Sequence, residues 1–161
     1  MNIINEIGEM ALSTRLMRLS ENIRTDITRI YKEHGIEFES KWFPVFFVLI
    51  KKAPVSVIEL ANEIGYAHPS VTALVKEMEK KKLIIGVASK TDKRKRLLSL
   101  TEKGKHLQKG LEPLWKDILK VAKKITDNKN NLLKALVETE SHLSENSFYE
   151  RYKKLETKRK K

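Results

Sequence analysis

Between Lys90 and Arg96 the chain reads KTDKRKR, with cations at Lys90, Lys93, Arg94, Lys95 and Arg96 around a single acid, Asp92. A cluster of this kind is the footprint expected of a phosphate-binding surface. Some twenty residues earlier, HPSVTALVKEMEK carries apolar residues at Val71, Leu74, Val75 and Met78, the spacing of one helix face. The opposite face then holds Pro69, Ala73, Lys76 and Lys80, flanked by Ser70, Thr72 and Glu77. It is small and polar at its start and cationic further along. Hydroxyls at Ser70 and Thr72 can donate to or accept from base edges, and the Ala73 methyl can meet a thymine methyl. Lys76 and Lys80 suit phosphates, and Tyr66 and His68 stand in the turn just before. Either feature alone also fits a solvated surface. A charged projection directly after such a helix points to nucleic-acid recognition.

Other chemistries find no matching pattern. His34, His68, His106 and His142 are scattered, and only Glu138 and His142 share a loose helical spacing, so no metal site is expected. Asp92 has no partner carboxylate or histidine nearby, and no nucleophile-elbow motif frames a serine. The six glycines are isolated, which excludes a glycine-rich phosphate loop. The absence of cysteine removes disulfides, thiolate metal sites and thiol oxidation sensing. These observations point to a protein that is not an enzyme and uses no cofactor.

The net charge of +12 is concentrated. Residues 76–105 hold eleven basic and four acidic groups, and residues 151–161 seven and one, while the remainder is close to neutral. The first segment is flanked by apolar periodicity and should be folded. The second is a terminal basic run of the kind that is usually solvated. The longest apolar run, Trp42 to Ile50, is about half of what a membrane span needs. MNIINEIGEM lacks the basic start of a secretory signal, so a soluble, cytoplasmic protein is expected.

The elements that must position these residues are mostly helical. Leu16, Leu19, Ile23, Ile27 and Ile30 predict one long helix over 4–33, stopped at Gly35 and too extended for a small domain to cover alone. Ser40 is the expected cap of an all-round apolar segment, 40–52, with Pro44 near its start. Ser56 and Glu59 form a capping box for a short helix ending at Gly65. Pro69 starts the next helix, and the two make a helix-turn-helix. Leu83–Ile85 and Arg96–Leu100 predict a β-hairpin with the basic run at its tip. Thr101 should cap a helix striped by Leu107, Leu111, Leu114, Trp115, Ile118, Ala122 and Ile125 and kinked at Pro113. A last helical region follows Asp127, broken near residue 145 by a second capping box, Ser147 and Glu150.

The run AHPSVTALVKEMEKKKLI…SKTDKRKRLLSLTEKG resembles the core of a MarR-family transcriptional regulator. The family pattern of recognition helix, Asp-x-Arg at the wing and Leu-Thr-x-x-Gly opening a helix is matched by Asp92, Arg94, Leu100, Thr101 and Gly104. The element order matches along nearly the whole chain. One departure lies at Leu83-Ile84-Ile85-Gly86, where many members carry an Arg. The resemblance implies a mainly α fold, with a winged helix-turn-helix over 36–100 and dimerisation helices over 1–35 and 101–161. It also implies a homodimer on double-stranded DNA, recognition helices in adjacent major grooves and Arg94 in a minor groove. Members usually repress, and many respond to a small-molecule effector bound between the long helices and the winged domain. Trp42, Phe46 and Trp115 are candidates to line that pocket, beside the plainer reading of core and interface packing. IYKEHGIEFESKWFPVFFVL and LSENSFYERYKK also look like a subgroup in which this domain can precede an acetyltransferase. The alternatives are therefore a non-catalytic module that binds protein or RNA, or the regulatory half of such a pair.

Overall fold

The computed structural model describes residues 3–88 and 95–159. The elements run α1 (Ile3–Glu6), a 3-10 turn (Gly8–Ala11), α2 (Leu12–Glu33), a 3-10 turn (Ser40–Trp42), α3 (Phe43–Lys52) and β1 (Val55–Ser56). They continue with α4 (Val57–Ile64), α5 (His68–Lys80), β2 (Ile84–Ala88), β3 (Arg96–Leu100), α6 (Glu102–Thr126), α7 (Leu132–Glu145) and α8 (Phe148–Arg159). The chain divides into two compact units, 1–114 and 115–161. Among the described residues, no helix is long and apolar enough to cross a membrane.

The core of the first unit is built where α3, α4, α5 and the sheet meet. Phe46, Leu60, Val71, Met78 and Leu98 are fully buried there. Tyr31, from the end of α2, and Trp42 meet Phe38 edge-on with ring centroids 5.4 and 5.8 Å away, and Phe46 does so at 5.2 Å. The sheet order is β1-β3-β2, all antiparallel. Strand β1 is only two residues, paired as Val55–Leu98 and Ser56–Leu97, so β3 is the central strand.

Three expectations change. The first helix is not continuous over 4–33: the chain breaks at Ile7 and Gly8, passes through a 3-10 turn and restarts at Leu12. Gly8 has φ 57°, far from the φ of a right-handed α-helix. Ser40 caps no helix. Its hydroxyl instead donates to the Arg24 carbonyl at 3.0 Å and accepts from Thr28 Oγ1 at 2.9 Å, tying the chain to α2. The 40–52 segment is not covered all round, because Phe43 and Phe47 stack on each other on an open side.

The second unit contains the end of α6 with α7 and α8. Residues 147–150 form the expected capping box: Glu150 Oε2 accepts from the Ser147 amide at 2.7 Å, and Ser147 Oγ accepts from the Glu150 amide at 3.2 Å. No residue of α7 or α8 is buried. Leu133, Val137, Phe148, Tyr152 and Leu155 are all exposed.

Candidate nucleic-acid interface

Local chemistry sets the helix-turn-helix. Ser56 Oγ accepts from the Glu59 amide at 3.3 Å, and the Glu59 carboxylate accepts from the Ser56 amide at 2.6 Å. These bonds hold the Glu59 carboxyl below its ordinary range, with a smaller contribution from nearby Lys95. Gly65 ends α4 at φ 73°, a left-handed conformation that costs a side-chain-bearing residue more than it costs glycine. Two residues later Ala67 stands as the N-cap of α5, with Pro69 in the first turn of the helix.

Helix α5 buries Val71, Val75 and Met78. Pro69, Ser70, Ala73, Lys76 and Lys80 are exposed on its other side, with His68 at its first residue and Tyr66 about half exposed just before it. Thr72 is half-buried, and its hydroxyl proton is engaged by the His68 carbonyl at 2.9 Å. What Thr72 offers outward is therefore an acceptor and a methyl group.

Glu77 faces away from that surface. Its Oε2 lies 2.7 Å from Lys41 Nζ and accepts from the Trp42 indole N–H at 2.8 Å. The Lys41 contact, then the indole, lowers the Glu77 pKa. A folded-state pKa below the unfolded value means that the unfolded chain binds the extra proton. This contribution is present above pH ~4.5 and is lost as pH falls through the folded value. Thermal midpoints measured across the acid limb should therefore show a shallower decline in Glu77→Gln than in the wild type. Identical acid limbs would mean that the contact contributes nothing.

Strands β2 and β3 pair from Ile84–Leu100 to Ala88–Arg96. The expectations for Lys90, Asp92, Lys93 and Arg94 fall on the segment joining them and lie outside the described residues. Lys95 is exposed. The Arg96 guanidinium is engaged within the protein: Nη2 lies 2.6 Å from Glu79 Oε1, and Nη1 donates to Glu79 Oε2 at 3.1 Å. Glu79 was not singled out from the sequence. Strand alternation was the available signal, since it puts Arg96 on the side of Leu98, which is fully buried.

Thr101 caps α6 as expected, its Oγ1 accepting from the Gly104 amide at 3.0 Å. The same hydroxyl is 2.7 Å from the Lys82 carbonyl, to which it donates, and Thr101 N–H bonds the Leu83 carbonyl at 3.0 Å. Gly104 sits against that carbonyl: a Cβ there would be 2.2 Å from Leu83 O. The Leu-Thr-x-x-Gly motif is thus a joint between α6 and the root of the hairpin.

The three aromatics proposed for an effector pocket are not equivalent. Trp42 borders an open cleft of about 460 Å³, with Thr28, Lys32, Ile36, Phe38 and Lys81 among its walls. Phe46 is fully buried in the aromatic core. Trp115 is half-buried and belongs to the second unit. No group of three His, Asp or Glu side chains able to hold a metal occurs among the described residues.

The MarR family model matches residues 34–95. The chain is similar to a MarR-like transcription regulator from Bacillus cereus (20% identity, 85% of this chain and 99% of that one, TM-score 0.67). It is also similar to the M. tuberculosis regulator MosR, solved in complex with DNA (17% identity, 82% and 95% covered, TM-score 0.69). A third similar structure is PcaV from Streptomyces coelicolor, solved with its natural ligand (15% identity, 85% and 94% covered, TM-score 0.66). A search of curated proteins finds no match. The matched segment covers the helix-turn-helix and the first hairpin strand, and the likeness in fold extends over most of the chain. Residues 34–95 thus form a MarR-like segment, set in a winged helix-turn-helix fold shared with these structures.

Proposed function

We propose that this protein is a homodimeric, sequence-specific double-stranded DNA-binding repressor whose hold on DNA is modulated by a small-molecule effector. The observation that carries the DNA reading is the solvent face of α5. Small and polar groups (Pro69, Ser70, Ala73) are exposed at its start and two lysines further along, with Val71, Val75 and Met78 buried behind them. The first turns of such a helix meet base edges in a major groove, and its later lysines meet phosphates. Arg94 and its neighbours Lys90, Lys93 and Lys95 take the minor groove and adjacent phosphates. MosR was solved with DNA and PcaV with a ligand, which supports both halves of the proposal. For the effector, the cleft beside Trp42 is the site favoured by its mixed polar and aromatic lining. No catalytic step is assigned.

Selection of bound duplexes from a random pool, with and without candidate ligands, tests the whole reading. Within the selected operator, Ser70 or Thr72 substitutions should alter the preferred base at one position by about 1–3 kcal/mol. Lys76 or Lys80 substitutions should weaken all sequences alike. Arg94→Ala should relax preference for A·T-rich flanks and flatten the log K against log[salt] slope by about 0.9 per lost contact. If the Lys76 variant switches base preference while the Ser70 and Thr72 variants lose affinity uniformly, the reading face is wrongly assigned. A protein that selects no duplex at all is an interaction module of another kind.

A further inference from the structure

Across the hairpin, Ile84, Gly86 and Ala88 stand opposite Leu100, Leu98 and Arg96. Residues paired in this way share one face of the sheet, and here it is the face of buried Ile84 and Leu98. Arg96 is thus a cation on the inward side of β3, at the last described pair of the hairpin. Its side chain runs diagonally over β2. A Cβ built on Gly86 would lie 2.4 Å from Arg96 Nε and 2.6 Å from Cζ. The guanidinium then meets Glu79, in the last turn of α5, at the two points given above. The Glu79 side chain is only 21% exposed.

The geometry matters because, among the described residues, the hairpin has few other restraints toward that end. Strand β1 covers only the Leu97–Leu98 part of β3, and β2 is an edge strand. Ile84 and Leu98 anchor the hairpin near its root, and outward of them β2 carries only Gly86, Val87 and Ala88. One hydrogen bond and one close ion-pair contact hold the planar guanidinium against the Glu79 carboxylate.

We propose that Arg96 is a positioning residue for the wing and not a DNA contact. Paired with Glu79 and admitted by the bare backbone of Gly86, it locks the far end of the β2–β3 hairpin to the recognition helix. Contacts in the major groove and contacts in the minor groove are then held in one fixed spatial relation. This rests on the reading of α5 and the wing as the DNA-binding surfaces. The Arg96 end of the pair is about half exposed, so the pair adds little to global stability, and its effect is geometric.

Three variants test it: Glu79→Gln, Arg96→Met and Gly86→Ala. The last leaves both charges in place and takes away only the space for the guanidinium. Hydrogen exchange of the free protein reads the clamp without DNA. All three variants should exchange the Val87 and Leu97 amides, which face each other across the hairpin, several-fold faster, with Val75 and Met78 in α5 unchanged. On the selected operator, all three should lose A·T flank preference to the same extent while keeping major-groove base preference. The Glu79→Gln, Arg96→Met double variant should be no worse than either single one. If Arg96→Met flattens the slope by about 0.9 per contact while Glu79→Gln binds normally, Arg96 is a phosphate ligand and the proposal is overturned. Unchanged exchange in all three variants removes the clamp. Faster exchange with flank preference intact removes its role in positioning. If the wild type selects no duplex, the DNA reading fails and the positioning role with it, and exchange alone decides whether the pair holds the hairpin.

Discussion

Gly104→Ala is expected to destabilise the protein by about 1–3 kcal/mol or more, the usual cost of forcing atoms into a packed site. In a domain of this size that is roughly 2–4 °C of Tm per kcal/mol. The sign is the informative part. Alanine in a helix interior ordinarily stabilises by up to ~1 kcal/mol relative to glycine. At Gly104 the new Cβ would stand 2.2 Å from the Leu83 carbonyl oxygen, a backbone atom that also accepts from the Thr101 amide. Relief requires α6 to move off the root of the hairpin. Gly110, in the same helix, has nothing within 4 Å of its would-be Cβ. Gly110→Ala should therefore stabilise. Calorimetry of the two variants beside the wild type decides the matter: equal shifts of the same sign would mean that α6 does not rest on Leu83 in this way.

A Leu19→Asp, Ile23→Asp double variant should lose dimerisation, folding and DNA binding together. In the single chain these residues are 42% and 38% exposed, and Tyr31 alone of the 22 residues of α2 is buried. Substitutions at such surface positions in a monomer fall within about ±0.5 kcal/mol. Buried in a contact with a second copy, two unpaired carboxylates cost several times more. The exposed apolar residues of α7 and α8 favour the second situation, since a monomer leaving so much uncovered would aggregate. Sedimentation and thermal melts of both proteins separate the cases. A wild type that is monomeric at micromolar concentration, with a variant of unchanged midpoint, rules the dimer out.

The parts of this architecture that could be read in the sequence are those with local causes. Ser56 and Glu59, Gly65, Pro69, Thr101, and Ser147 and Glu150 each act within a few residues, and each marks a helix boundary where expected. Strand β1 was missed because its two residues carry no pattern of their own. It exists through pairing with β3, some forty residues later. The break at Gly8 was missed because apolar residues continue on both sides of it, so periodicity alone bridges the gap. Ser40 looked like a cap, and its hydroxyl was taken instead by two partners on α2. On the interface, the burial of α5 followed from spacing, whereas the contact of Arg96 with Glu79 follows from strand alternation, which composition does not carry. Glu79 could be found only once the register placed Gly86 beside the Arg96 stem.

The indole of Trp42 donates to Glu77, a residue of the recognition helix, and is 4% exposed. One of the two tryptophans is therefore wired by a hydrogen bond to α5, the helix proposed to read bases. Indole emission responds to the loss of a charged acceptor and to the entry of water. Any rotation of α5 that parts Trp42 from Glu77 would thus change the protein's intrinsic fluorescence. The molecule carries its own optical gauge of helix orientation, readable in a titration with DNA or ligand without a label, and Trp115→Phe would isolate its signal.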